Sequence, residues 1–236
     1  MSAAPTVDLD DAALAAADGA LAGPGAAAAV RWAVDTVGTA ALCLTASMTD
    51  AVLIDVATRV EPAIEVVFID TGLHFPETLE TAEAVRRRYG LNLRVVRVPE
   101  PAVPFHLADP VACCSVAKVA ALDEALAGKR AWLSGLRRVE TTTRAGAPIV
   151  GRDSRGLLKV NPLAAWTDAD VSAYIAAHDV PVNPLVARGY ASIGCAPCTG
   201  PVAAGGGARS GRWDGVKTEC GLHDRLTTAA ADGVTR

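Results

Sequence analysis

Along this chain, short apolar runs alternate with longer segments in which apolar residues recur every three to four positions, a pattern that predicts strands and helices in turn. Residues 9 to 36 carry an Ala-rich helical pattern, which the breaker Gly23-Pro24-Gly25 divides in two. The run AALCLTAS (40 to 47) ends in small polar residues and DAVLIDVATRV follows with helical spacing, giving strand, turn and helix. IEVVFIDTG (64 to 72) reads as a buried strand entering Asp70-Thr71-Gly72, and a helix opens at Pro76 and continues to Tyr89. LRVVRV (93 to 98) is the next strand. A helix, SVAKVAALDEALAG, follows the pair Cys113-Cys114, and RAWLSGLRR (130 to 138) is a strand running into a basic turn that holds Arg137. LLKVNPLAAW (157 to 166) is a strand and turn, and Thr167-Asp168-Ala169-Asp170 caps a helix that ends near His178. This alternation predicts an α/β fold, a parallel sheet flanked by helices, whose strand ends are where nucleotides bind.

From Val180 onward the periodicity dissolves into Pro, Gly and small residues, through CAPC and PVAAGGGARSGRWDG. Composition narrows the picture. Of 236 residues, 51% are hydrophobic but only 4% aromatic, so the core should pack through Ala, Val and Leu, and the length suits one domain. A net charge of -4 and a pI near 5.6 argue against a nucleic-acid binder that works by bulk electrostatics. The start, MSAAPTVDLDD, has acidic residues where a signal peptide needs positive charge, and no apolar run reaches the roughly 18 residues of a membrane span. The expectation is a cytoplasmic protein without membrane contact. In that reducing compartment six cysteines should be metal ligands or reactive thiols before they are bridges.

Four of the six cysteines fall in two places, Cys113-Cys114 and Cys195-Ala196-Pro197-Cys198. Thiolates attract soft metals, and the Cys-x-x-Cys turn presents two sulfurs to one centre. Zinc knuckles usually keep two to four residues between ligands, whereas the adjacent pair diverges by about 100° on a helix and suits corners of a wider cluster. An iron-sulfur cluster, a zinc ion and packed or vicinally bonded thiols all remain readings of the spacing. Cys43, inside an apolar strand, reads as a buried, inert thiol. Cys220 differs, because Lys217 and His223 flank it and nearby positive charge stabilises a reactive thiolate; the plain alternative is a spare cysteine in a tail. The turn Thr45 to Asp50, with Ser47, precedes a helix and suits an anion, unless Thr49 is simply its N-cap. Lys118, one turn past the cysteine pair, is either a solvated lysine or a positive charge beside that centre or an anionic substrate.

Together these motifs resemble the iron-sulfur class of adenylylsulfate (APS) reductases, within the phosphoadenylylsulfate (PAPS) reductase family. The resemblance rests on CC at 113 and 114, GYASIGCAPC ending at Cys198, RSGRW followed by KTECGLH, and on FIDTGLHFPET, GLRRVETTTRA and VNPLAAWTDADV. It implies an adenine nucleotide alpha hydrolase-like fold with a cysteine-rich loop and a mobile C-terminal tail. It also implies one domain over 1–236: a helical extension (1–30), a nucleotide-binding core (31–186), and a cluster loop with a catalytic tail (187–236). Cys113, Cys114, Cys195 and Cys198 would hold one 4Fe-4S cluster, and Cys220 would be the nucleophile. Ser47, Asp70, Thr71, Gly72, Lys118, Arg137, Arg209, Arg212 and His223 would bind substrate. The implied partners are adenosine 5'-phosphosulfate and thioredoxin or a similar dithiol, with a homo-oligomer left open and no nucleic acid. The turn TASMTD lacks the glycines of the SGGxDS signature that grips a pyrophosphate, which suits a substrate with one phosphate and one sulfate. The competing readings are a PAPS reductase, a transfer-RNA thiolating enzyme and a non-catalytic module stabilised by zinc.

Overall fold

A computed structural model describes residues 7–23, 25–98, 117–203, 205–213 and 219. Two helices open the chain, α1 (Asp11–Leu21) and α2 (Ala26–Val37), separated at the Gly-Pro-Gly breaker. Strand β1 (Leu42–Ala46) then leads into α3 (Val52–Val60), β2 (Glu65–Asp70) into α4 (Pro76–Tyr89), and β3 (Asn92–Arg97) follows. Next come α5 (Lys118–Leu126), β4 (Ala131–Ser134), β5 (Val150–Arg152), β6 (Leu158–Val160) and α6 (Asp168–His178).

The strands form one six-stranded sheet in the order β3-β2-β1-β4-β6-β5. Pairing is parallel from β3 across to β6, with Leu44 beside Val66 on one side and Leu133 on the other. The last strand departs from the expected parallel sheet: β5 runs antiparallel to β6, joined by the tight turn after Arg152. A three-residue strand with Gly151 at its centre carries no period-two signal, which is why only its partner was legible.

The pleat sorts the core. Leu42, Leu44, Val66 and Phe68 pack with α2, α3 and α4 on one face, while Cys43, Val67, Ile69 and Val96 pack with Ala121, Leu122 and Ala125 of α5 on the other. The described residues before β1 join the same core, through Leu14 and Leu21 of α1 and Ala29 and Val30 of α2. Among the described residues no helix is long and apolar enough to cross a membrane.

Strand order turns about β1, which pairs with β2 on one side and with the later β4 on the other. At that reversal the loops leaving the carboxyl ends of neighbouring strands diverge and open a crevice.

Candidate functional site

A cavity of about 240 Å³ fills that crevice. Thr45, Ala46 and Ser47 line it at the end of β1, Phe68 and Ile69 on β2, and Ser134 and Gly135 at the end of β4. Its inner wall is apolar, with Leu44, Ile54, Val67 and Leu122, and its rim is cationic. Among the described residues Lys118, Arg137, Arg144, Arg209 and Arg212 line it, against the carboxylates of Asp50 and Glu140. In a chain of net charge -4 this concentrates positive potential at one opening, suited to an anionic ligand with an apolar portion.

The turn after β1 is braced from across the molecule. Asn183, fully buried, donates its amide to the Met48 carbonyl at 3.2 Å and to Thr78 Oγ1 at 3.1 Å. Backbone bonds from Ala51 to Pro181 and from Asn183 to Thr49 close the brace. Met48 sits at φ 60°, a left-handed conformation costly for its side chain, which the brace and its own complete burial hold in place. Ala51 occupies the cap position of α3, and Asp50 rather than Thr49 bonds the helix's first amide: Asp50 Oδ1 accepts the Val52 N–H at 3.0 Å, while Thr49 Oγ1 lies 3.4 Å from Ser47 Oγ. Burial pushes the Asp50 carboxyl above its usual range.

Asp70, Thr71 and Gly72 make a tight turn at the end of β2, where Asp70 Oδ1 accepts the Gly72 N–H at 2.9 Å. These three are absent from the described lining, and Thr71 faces the cysteine loop instead, with Oγ1 3.2 Å from Cys195 Sγ. His74, which does line the cavity, lies against Phe68 with ring centroids 4.9 Å apart. Burial pushes its pKa down, so the neutral ring donates from Nε2 to the Ile69 carbonyl at 3.0 Å. Its Nδ1 is buried without a protein partner.

Cys195 caps and Cys198 ends one short 3-10 turn, Ala196–Cys198, and both cysteines are buried. The turn is fixed by Cys198 N–H to Cys195 O at 3.0 Å and Ala196 N–H to Leu73 O at 2.7 Å. Trp213 packs on Cys198. Two thiols on one turn, apolar cover, and a hydroxyl against one sulfur together form a donor set that fits half of a thiolate-ligated metal centre. Cys113 and Cys114, the expected other half, lie outside the described residues, as do Cys220 and His223. Among the described residues no group of three His, Cys, Asp or Glu converges.

The same loop carries the arginines. Arg212 Nε donates to the Cys198 carbonyl at 3.2 Å and Nη1 to Ser192 Oγ at 3.3 Å, with the guanidinium 4.4 Å from the centroid of the Trp213 ring. Arg209 lies over that ring too, at 5.3 Å. Arg137 reaches Asp168 at 2.7 Å, and Lys118 is the first residue of α5. Neither Arg144 nor Glu219 stands among the candidate residues read from the sequence. Yet these two form a bidentate ion pair at the rim, at 2.5 Å, 75 residues apart in sequence. Arg144 was visible as a basic residue, but its burial was not. Glu219 stood in KTECGLH beside the cysteine that drew attention.

The family model for the phosphoadenosine phosphosulfate reductase domain matches residues 40–201. A Streptomyces coelicolor protein named adenosine 5'-phosphosulfate reductase is 48% identical over 205 residues, spanning 82% of this chain and 86% of that protein. One of the same name from Mycobacterium tuberculosis is 51% identical over 189 residues, spanning 75% of this chain and 74% of that one. Among solved structures, a phosphoadenylyl-sulfate reductase from Candida auris in complex with phosphate superposes with a TM-score of 0.73 at 26% identity, over 83% of this chain and 100% of that one. Yeast FAD synthetase, at 15% identity and a TM-score of 0.52, shares the fold, over 83% of this chain and 71% of that one.

Proposed function

This chain belongs to the phosphoadenosine phosphosulfate reductase family, and from that premise we propose that it reduces adenosine 5'-phosphosulfate to sulfite and AMP, as a cytoplasmic enzyme of assimilatory sulfate reduction. The observation that carries the reading is the cavity at the strand-order reversal, where five cationic side chains ring an apolar slot beside the buried Cys195-Cys198 turn. A nucleoside occupies the slot. The phosphate and sulfate lie among Lys118, Arg137, Arg209 and Arg212, near the Ser47 turn. His223 closes over them from the tail, and Asp70, Thr71 and Gly72 hold the β2 turn beside them.

The chemistry divides one reduction into two thiol exchanges. The Cys220 thiolate attacks the sulfur of the substrate, the sulfur–oxygen bond to AMP breaks, and the cysteine is left as an S-sulfonate. A dithiol protein such as thioredoxin then attacks the cysteine sulfur; sulfite leaves, the Cys220 thiol is regenerated, and the donor departs as its disulfide. The cations offset the repulsion between an anionic nucleophile and an anionic substrate, which makes them worth most as the two approach. Cys113, Cys114, Cys195 and Cys198 would hold the 4Fe-4S cluster. Held there, it would order the loop and shape the local field beside the substrate, while the thiols supply the electrons. Thr71 then orients the Cys195 ligand, and Trp213 keeps water from Cys198.

The test is sulfite release by anaerobically purified protein with reduced thioredoxin. Adenosine 5'-phosphosulfate and its 3'-phosphorylated analogue are compared as substrates, and Cys220→Ser is run alongside. The expected result is a brown protein that turns over the first substrate much faster than the second and loses turnover without Cys220. Preference for the 3'-phosphorylated substrate would make it a PAPS reductase. A zinc-bound protein, or full activity in Cys220→Ser, would overturn the mechanism.

A further inference from the structure

We propose that Glu219 is the positioning residue for Cys220, a carboxylate that docks the tail onto Arg144 at the cavity rim and so sets the reach of the nucleophile; this rests on the function proposed above. The docking site is prebuilt on the two 3-10 turns that follow β4. Glu219 Oε1 accepts from Thr141 Oγ1 at 2.8 Å, from Thr143 Oγ1 at 3.1 Å and from Arg144 Nε at 2.9 Å. Oε2 accepts from Arg144 Nη2 at 2.5 Å and lies 3.7 Å from Arg209 Nη2. The Arg144 and Glu219 side chains are only 7% and 12% exposed, so the pair is shielded from the solvent that weakens most surface ion pairs.

Two features separate this contact from ordinary tail packing. The grip is bidentate, which fixes the direction of the carboxylate as well as its distance. Every group in it comes from the cavity rim or from the turn bearing that rim: Arg144 and Arg209 line the cavity, and Glu140, also lining it, holds the far side of Arg144. Consecutive Cα atoms are about 3.8 Å apart, so a carboxylate held at position 219 bounds the reach of the next residue by covalent geometry alone. Near-attack geometry is sensitive at that scale, and a displacement of about 1 Å can cost about 100-fold in rate.

The experiment is a single-turnover measurement of S-sulfonate formation on Cys220, by rapid quench and intact-protein mass spectrometry, on wild type, Glu219→Gln, Glu219→Asp and Arg144→Lys. Glu219→Gln keeps the shape and removes the charge. We expect it to slow S-sulfonate formation about 10- to 100-fold. Substrate KM and release of sulfite from preformed S-sulfonate by thioredoxin should change less than about threefold, with an unchanged melting temperature. Glu219→Asp should recover part of the rate, and Arg144→Lys, which loses the fork, should slow S-sulfonate formation as well, with substrate KM free to rise because Arg144 also lines the cavity. Wild-type rates in Glu219→Gln would overturn the proposal. So would a parallel fall in rate, substrate affinity and melting temperature, which marks a merely structural contact. Failure of the wild-type protein itself to form the S-sulfonate would sink the proposed function, and this inference with it, a result visible before any variant is read.

Discussion

Gly194 shows how narrowly one residue can be constrained by another far along the chain. A Cβ built there would stand 2.2 Å from Arg212 Nη2 and 2.6 Å from its Cζ, closer than atoms can pack, so the absent side chain is the space that the guanidinium occupies. Arg212 is buried and cannot simply swing into solvent, because its bonds to Ser192 and the Cys198 carbonyl are formed in that slot. Gly194→Ala should therefore displace Arg212 and cut turnover by at least about 10-fold, the loss expected when one charge-assisted contact of more than 1 kcal/mol is removed. Steady-state sulfite assays on Gly194→Ala and Arg212→Ala check this: the two should resemble each other, and full activity in Gly194→Ala would show that Arg212 is not needed where it stands.

At the scale of elements, the exposed edge of the sheet is where stability is most open to test. β5 is an edge strand, and the N–H groups of Ile149 and Val150 facing away from β6 would be orphaned beside buried side chains. Asp18 of α1 takes both, with Oδ1 accepting from Ile149 at 2.6 Å and from Val150 at 3.1 Å. Arg152 extends the same seam to the carbonyls of Val7 and Leu9. Removing a partner from buried donors costs about 1–3 kcal/mol, so Asp18→Ala should lower the melting temperature by roughly 2–12 °C while Asp18→Asn recovers part of it. Differential scanning calorimetry decides. An unchanged melting temperature would mean that water serves the edge as well as α1 does.

Across the whole molecule, ionisable groups held in the wrong medium set the pH limits. Burial on the α5 face pushes the Cys43 thiol from 9.0 up to about 12. A raised pKa means that the fold favours the protonated thiol, so this contribution is fully present below pH 9 and is lost as pH rises from there through 12. Stability of the wild type should fall by at most about 1.4 kcal/mol per pH unit from this group over that window, and Cys43→Val should flatten that part of the denaturation curve. Equal alkaline slopes in the two proteins would refute it. On the acid side the sign reverses. Burial alone would raise the Glu219 carboxyl, but Arg144 and Thr141 more than offset it, as Arg59 and Tyr174 do for Asp55. Both carboxyls are held below their ordinary values, so their contributions are present above the usual carboxylate range and are lost as pH falls through the lowered values.

Read by itself, the sequence determined what depends on local pattern. Periodicity located every helix and parallel strand among the described residues, because turn chemistry at Gly23, Pro76 and Thr167 and the switch between periods two and 3.6 are written into adjacent residues. The spacing of cysteines and basic residues likewise marked the loop that holds Cys195, Cys198, Arg209 and Arg212. Tertiary structure alone decided what depends on distance across the fold. The antiparallel edge strand exists because β6 and α1 supply its partners, not because its three residues favour a strand. Asp50 rather than Thr49 bonds the first amide of α3, in a turn that the segment around Asn183 pins from outside. Arg144 and Glu219, 75 residues apart, became a pair only when the fold brought the turn after β4 against Glu219, since charge complementarity has no range along a sequence and operates only through space.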